Sequence, residues 1–384
     1  MSYHEWPEVY RKLGVKPVIN AQSWVTVLGG SIMKKEVLEA MNDASKVFID
    51  MIELNKSAGK FIAKICNSEA GLVTNGCASA QVLMSAACMT GEDDDKVEKL
   101  PNTKGMKNEV IIFKGQRNRY DKAFETSGAI IKEFGTEEDA TEEDLISVIS
   151  NKTCAIAYVI MPFFKPGIGL KKTIEIAHKN SIPVILDAAA EIPPRSNLHR
   201  FINMGVDMVA FSGGKGIGGP QSSGILAGKE NLINSAFKNS LNLHSNIACV
   251  GRPMKVSKEN IIGLVTALEL YLDSNEEEEY HLWEEKSEYI KNQLKNIPYL
   301  DVKIENTPTD RQGTQPVLYF HNDWKGKSPE KIREEMINGD PPIYLGVGGS
   351  SLYEYIGEIN IVMTNVMQGE EIIIADRLNK LLRE

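Results

Sequence analysis

The chain has 384 residues, 42% of them hydrophobic and 25% charged, the balance of a globular protein large enough for an extensive core and two domains. Its formal net charge of −9 and sequence pI near 5.4 argue against a nucleic-acid surface, which needs a clustered basic face. The five cysteines are scattered with no CxxC pair, and none of the six histidines stands at metal-ligand spacing from a cysteine or carboxylate. Neither a disulfide framework nor a metal centre is therefore expected.

The N-terminus, Met1-Ser2-Tyr3-His4-Glu5-Trp6-Pro7, lacks a basic stretch followed by an apolar one. No apolar run reaches the length of a membrane span, so a cytoplasmic protein is expected. Residues 1–50 read as an arm and helix: an apolar run at Val18-Ile19-Asn20, the pair Gly29-Gly30, then a helix starting near Lys34. Over residues 51–253, helical stretches alternate with short apolar runs at 71–74, 110–113, 155–160, 183–186, 208–211 and 224–228. That is the pattern of an α/β domain with a mostly parallel sheet covered by helices. Residues 91–108 are charged, contain Pro101 and read as a surface insertion. Residues 254–384 read as a smaller α+β domain, with a helix over 261–272, strands at 316–320 and 358–362, and a final helix over 370–382. Within it the acidic run 276–279 reads as one solvated helical turn.

The run at 183–186 ends on Asp187, where open α/β sheets place their ligands. A carboxylate there either caps the next loop or holds the protonated ring nitrogen of pyridoxal phosphate. Ala189 is small enough to let a ring lie against the strand. The run at 208–211 opens onto Ser212-Gly213-Gly214-Lys215-Gly216-Ile217-Gly218-Gly219-Pro220. A lysine among glycines is commonly a solvated loop residue, but this one lies at the sheet edge expected for Asp187. Acid and amine at one edge are the pair a pyridoxal phosphate enzyme needs, the amine for a Schiff base and the acid for the pyridinium. Ser212 offers a hydroxyl to the cofactor phosphate or simply closes a turn. Gly214, Gly216 and Gly219 spell GxGxxG, but the stretch leads into a strand-like run rather than a helix, so a dinucleotide site is rejected.

The phosphate needs a cradle, and Thr74-Asn75-Gly76-Cys77-Ala78-Ser79-Ala80 offers one. A strand ends there, Gly76 permits close backbone approach, and Cys77, Ala78 and Ser79 open a helix whose free N–H groups can hold a dianion. The same segment also reads as a packed helix after a tight turn. Beyond the 110–113 run, the polar block around Gln116 can stack on the ring or contact substrate, or can be a basic surface loop. Arg252 and Arg311 are placed to grip a substrate carboxylate or phosphate bidentately, and Asn20 in the arm joins them as a substrate-binding candidate.

These blocks resemble one known group. Asp187-Ala188-Ala189-Ala190-Glu191, Ser212-Gly213-Gly214-Lys215 and Gly218-Gly219-Pro220-Gln221 look like the SelA-like branch of fold type I pyridoxal phosphate enzymes. That branch includes L-seryl-tRNA(Sec) selenium transferase and D-glucosaminate-6-phosphate ammonia-lyase. The likeness extends to Val18-Ile19-Asn20-Ala21, Leu28-Gly29-Gly30-Ser31 and Gly251-Arg252-Pro253-Met254-Lys255-Val256. It implies that Lys215 carries the Schiff base, that Asp187 binds the pyridine nitrogen, and that Ser212 and the Gly76 turn hold the phosphate. It also implies a homodimer or larger symmetric assembly with the active site at the subunit interface.

The chain starts close to the arm, without the extra domain by which the selenium transferase grips tRNA, so a small-molecule substrate is expected. Gln116 stands where the ammonia-lyase-like members are expected to carry a histidine. The reaction expected is α,β-elimination from a hydroxy-amino acid, such as D-glucosaminate 6-phosphate or a related sugar amino acid, giving a 2-oxo acid and ammonia. A racemase or epimerase, an aldolase and a selenium-transferase-like enzyme share the same scaffold. A non-catalytic pyridoxal phosphate-binding protein is the alternative from another class.

Overall fold

Short apolar runs fold into two sheets. In this computed structural model, residues 7–161, 165–241, 247–306, 313–349 and 354–384 are described. The strands are β1 (Ile19–Ala21), β2 (Ala70–Thr74), β3 (Glu109–Phe113), β4 (Ile130–Phe134), β5 (Thr153–Val159) and β6 (Val184–Asp187). They continue with β7 (Met208–Ser212), β8 (Gly224–Gly228), β9 (Leu300–Asn306), β10 (Thr314–His321), β11 (Ile343–Gly348) and β12 (Tyr355–Asn360).

A seven-stranded sheet has the order β2-β8-β7-β6-β5-β3-β4. From β7 to β4 every pairing is parallel, whereas β8 runs antiparallel to both β7 and β2. Its strands other than the outer β4 are largely buried on both faces, so alternate residues feed two separate cores. Ile111, Ile156, Leu186 and Val209 pack into one. Ile112, Ala157, Ile185 and Ala210 pack into the other. The helix Cys77–Thr90 lies against this second face and is buried almost all round, which explains a composition without a polar side.

The chain divides into two compact units, one of residues Met33–Ser274 and the other joining residues up to Ile32 with Asn275–Glu384. These limits differ from the boundaries expected at 50 and 253. The helix Lys258–Asp273 packs on Lys35–Ser45 and Met51–Cys66, burying Ile261, Leu264 and Leu268, so it belongs with the large sheet. The arm supplies β1, which pairs in parallel with β11, Ile19 opposite Ile343, at the edge of a five-stranded sheet ordered β1-β11-β12-β10-β9. Helices Glu276–Leu294, Pro329–Ile337 and Glu370–Arg383 share the core of this smaller unit with its strands.

Both segments expected at the surface lie there, and both contribute to helices. The acidic run 276–279 is the first turn of the 19-residue helix Glu276–Leu294, where negative charge complements the N-terminal end of the helix dipole. The stretch 91–108 contains the helix Asp94–Lys99, N-capped by Asp93, and buries Val97 and Leu100. No helix among the described residues is long and apolar enough to cross a membrane.

Candidate functional site

Strand register brings the sequence blocks to one edge of the large sheet. Thr74 of β2 pairs with Gly224 of β8, and Gly224 pairs with Ser212 of β7. The Lys215 loop is thus the connection between two antiparallel neighbours, closed by hydrogen bonds from Gly213 N to Ser223 O and from Gly219 N to Gly213 O, both 2.9 Å. Asp187 ends the adjacent strand, in register with Ala210. The cradle, the lysine loop and the acid therefore share an edge because their strands are neighbours.

At the cradle, Gly76 holds φ 87°, which a residue with a Cβ rarely adopts, and precedes the helix Cys77–Thr90. No described atom lies within 4 Å of where its Cβ would stand. Thr74 Oγ1 donates to Gly76 O at 3.0 Å, and Ser79 Oγ donates to Asn75 O at 2.8 Å, so both hydroxyls brace the turn. Cys77, Ala78 and Ser79 fall in the first helical turn, where backbone N–H groups have no intrahelical acceptor. Ala78 is exposed, so this helix start is open on one side.

Alternation along β6 turns Asp187 toward the same face as Ile185, where the helix lies. The carboxylate is buried. Its Oδ1 accepts from Ala189 N at 3.0 Å and from Cys77 Sγ at 3.3 Å, and its Oδ2 accepts from Gln81 Nε2. Burial pushes the Asp187 carboxyl above its ordinary range, against the Ala189 and Cys77 hydrogen bonds and the charge of Lys215. Lys215 is shifted the other way, its ammonium disfavoured by burial and only partly restored by Cys77 and Asp187. Among the described residues its Nζ makes no hydrogen bond or ion pair. Burial, and then the charge of Asp187, push Cys77 well up, so it stands as a thiol donor rather than a thiolate nucleophile.

The remaining sequence candidates lie in varied settings. Ala189 is half-buried just past Asp187, and Ser212 N donates to Ala189 O at 3.3 Å. Gln116 is buried, with its amide engaged on both sides: Oε1 accepts from Val159 N at 3.0 Å and Nε2 donates to Lys165 O at 3.4 Å. Arg252 is exposed at the start of the 3-10 turn Arg252–Met254. Asn20 lies in the smaller unit, where its Nδ2 donates to Ser23 O at 2.9 Å and its Oδ1 accepts from Gln22 N at 3.0 Å. Arg311 lies outside the described residues.

Two residues at the site were not singled out from sequence. Gln81 follows Cys77 by one helical turn, and that spacing is the signal that could have found it. Asp121, also buried, accepts from Arg117 Nε at 2.6 Å and Asn118 N at 3.0 Å, and its charge helps to raise Asp187.

The SelA family, described as L-seryl-tRNA selenium transferase, matches residues 18–297. The chain is 29% identical over 381 residues to 5'-C-glycyluridine monooxygenase-decarboxylase of Streptomyces sp, covering 97% of this chain and 92% of that protein. It is 35% identical over 272 residues to D-glucosaminate-6-phosphate ammonia lyase of Salmonella typhimurium (strain 14028s / SGSC 2262), covering 69% and 70% respectively. A solved structure of D-glucosaminate-6-phosphate ammonia-lyase superposes with a TM-score of 0.82 at 27% identity, covering 98% of each chain.

The site fits the cofactor of this group. It offers a buried carboxylate, a lysine without a competing ion pair among the described residues, and an open helix start beside a glycine with free space around it. The chain belongs to the SelA family of fold type I, pyridoxal phosphate-dependent proteins.

Proposed function

We propose that the protein is a pyridoxal phosphate-dependent lyase that removes water from a small hydroxy-amino acid and yields a 2-oxo acid and ammonia. The observation that carries this reading is the pair of oppositely shifted groups, Asp187 and Lys215, at one sheet edge beside the open helix start. The likeness to D-glucosaminate-6-phosphate ammonia lyase supports a sugar-derived amino acid, such as D-glucosaminate 6-phosphate, as the substrate. Bound pyridoxal phosphate supplies an electron sink for the pair released when Cα loses its proton.

Each residue then has a task. Lys215 Nζ would hold the cofactor and, as a free amine once substrate is bound, would take the Cα proton. Its burial favours the neutral amine that such a base requires. Asp187 accepts the ring N–H. The N–H groups of Cys77, Ala78 and Ser79, with Ser212, bind the phosphate, and Gly76 keeps the approach clear. Ala189 would leave room for the ring, and Gln116 is assigned to its outer face. Arg252, Arg311 and Asn20 are assigned to the substrate's anionic and hydroxyl groups. The electron pair left at Cα would then form the Cα–Cβ double bond as the β-hydroxyl leaves, as water, with the proton that Lys215 took. The released enamine then takes up water and gives the 2-oxo acid and ammonia.

Purified protein incubated with pyridoxal phosphate should gain a visible absorption band that Lys215→Ala lacks. A panel of hydroxy-amino acids and sugar amino acid phosphates, scored for ammonia and 2-oxo acid, tests the reaction. Racemisation or aldol cleavage without ammonia release overturns it. The monooxygenase-decarboxylase relative, matched along 97% of the chain, favours a second reading, oxygen-dependent decarboxylation of a glycyl-substituted nucleoside. Oxygen uptake with carbon dioxide release in the same panel would select it. We further assign the protein to the cytoplasm, in keeping with five free cysteines, and to a homodimer.

A further inference from the structure

Cys77 and Gln81, four residues apart on one helix, present their side chains on the same side, and both reach Asp187. An ionised carboxylate has about four lone-pair sites, two on each oxygen. Oδ1 already accepts from two donors, Ala189 N at 3.0 Å and Cys77 Sγ at 3.3 Å. Oδ2 accepts from Gln81 Nε2 alone among the described residues and so keeps one direction open.

Gln81 cannot turn its amide over without cost. Its Oε1 is buried and without a hydrogen-bond partner among the described residues, and a flip would set that oxygen against the carboxylate. The thiol of Cys77 is likewise a donor in this setting, and among the described residues Asp187 is its one acceptor. The acid is thus gripped from one helix face, with Asp187 held by its own strand and by Ala189 N from the other side.

We infer that Gln81 and Cys77 are positioning residues that fix the orientation of Asp187 and leave one open lone pair, on Oδ2 beside Gln81, to receive the cofactor's ring nitrogen. This rests on the reading of Asp187 as the ring-nitrogen partner. Burial alone favours the protonated acid, which would face the ring as a donor. Cys77 opposes this by donating to the carboxylate form, and Gln81 Nε2 donates to the other oxygen of the same carboxylate. Losing either donor should therefore weaken the hold on the ring proton.

The test is a pH titration of holoenzyme carrying nitrogen-15-labelled pyridoxal phosphate, read as the ring-nitrogen chemical shift. In Gln81→Leu the midpoint for loss of the ring proton should fall by about one pH unit, the equivalent of one charged hydrogen bond. Cys77→Ala should shift it in the same direction by less, and Cys77→Ser, which keeps a donor, should restore the parent midpoint. Asp187→Asn separates the two levels of the argument. If Asp187→Asn titrates like the parent, the reading of Asp187 itself fails and this inference falls with it. If Asp187→Asn shifts but Gln81→Leu superimposes on the parent, only the role of Gln81 and Cys77 is overturned. Should Gln81→Leu not fold, the cysteine pair decides: equal midpoints for Cys77→Ala and Cys77→Ser overturn the inference, and a lower midpoint in Cys77→Ala alone supports it.

Discussion

Lys215 and Asp187 are both buried, and burial moves them in opposite senses, the amine toward its neutral form and the acid toward its protonated form. For the lysine the consequence is chemical. Only the neutral amine attacks a carbonyl, so a lowered proton affinity makes Lys215 competent at a pH where an exposed lysine is almost wholly charged. The rate of pyridoxal phosphate uptake by the apoprotein should rise with pH and level off below 10.5, the ordinary lysine value. Stopped-flow absorbance checks this, and a rise that continues through 10.5 contradicts it. Lys215→Arg stays protonated throughout and should give no borohydride-fixed adduct at any pH.

The strands that carry the site were legible because they are buried on both faces and show as apolar runs between turn signals: β2, β3, β5, β6, β7 and β8. Besides the inner strand β11, the missed strands are β4 and β9, the outer strands of their sheets. Each has partners on one side only and carries charged residues where a central strand is apolar, Lys132 and Glu133 in one and Asp301, Lys303 and Glu305 in the other. Gln81 was illegible for a different reason. Its role depends on how a helix docks on a sheet, which a glutamine in a small-residue helix does not announce.

The opposite edge of the large sheet gives a control at this scale. Asp207, just before β7, is buried; its Oδ2 accepts from Val184 N at 2.7 Å and faces His178 Nε2 at 2.9 Å, while Oδ1 meets Lys229 Nζ at 2.5 Å. It ties the starts of β6 and β7 to a helix and to the end of β8. Asp207→Asn should destabilise the protein by about 2 kcal/mol, because buried donors lose a charged acceptor. Urea denaturation measures this. Cofactor affinity in the folded variant should match the parent, since Asp187 and Lys215 lie at the other ends of these strands. A loss of affinity without a loss of stability would contradict that separation.

For the molecule as a whole, the exposed apolar surface is the feature its own fold leaves unused. Between the helices Lys35–Ser45 and Met51–Cys66, Val47, Phe48 and Ile49 are 62%, 104% and 49% exposed, with Leu38 and Ile52 also exposed nearby in sequence. Single exposed apolar residues are ordinary, but a run with a fully exposed phenylalanine is a contact surface in want of a partner. Under the proposed homodimer, a two-fold interface presents the same patch from both copies, so each substitution acts twice. The parent should sediment at twice its 42.6 kDa chain mass. Phe48→Asp places two carboxylates in that interface and should weaken association about 100-fold or more, as loss of an aromatic anchor with added charge implies. Sedimentation equilibrium across a concentration series measures the change, and Asp207→Asn, buried away from any surface patch, should keep the parent mass. A Phe48→Asp variant of unchanged dimer mass would move the interface off this segment. A parent that sediments as a monomer would remove the homodimer, and with it the expectation that a second copy helps to line the site.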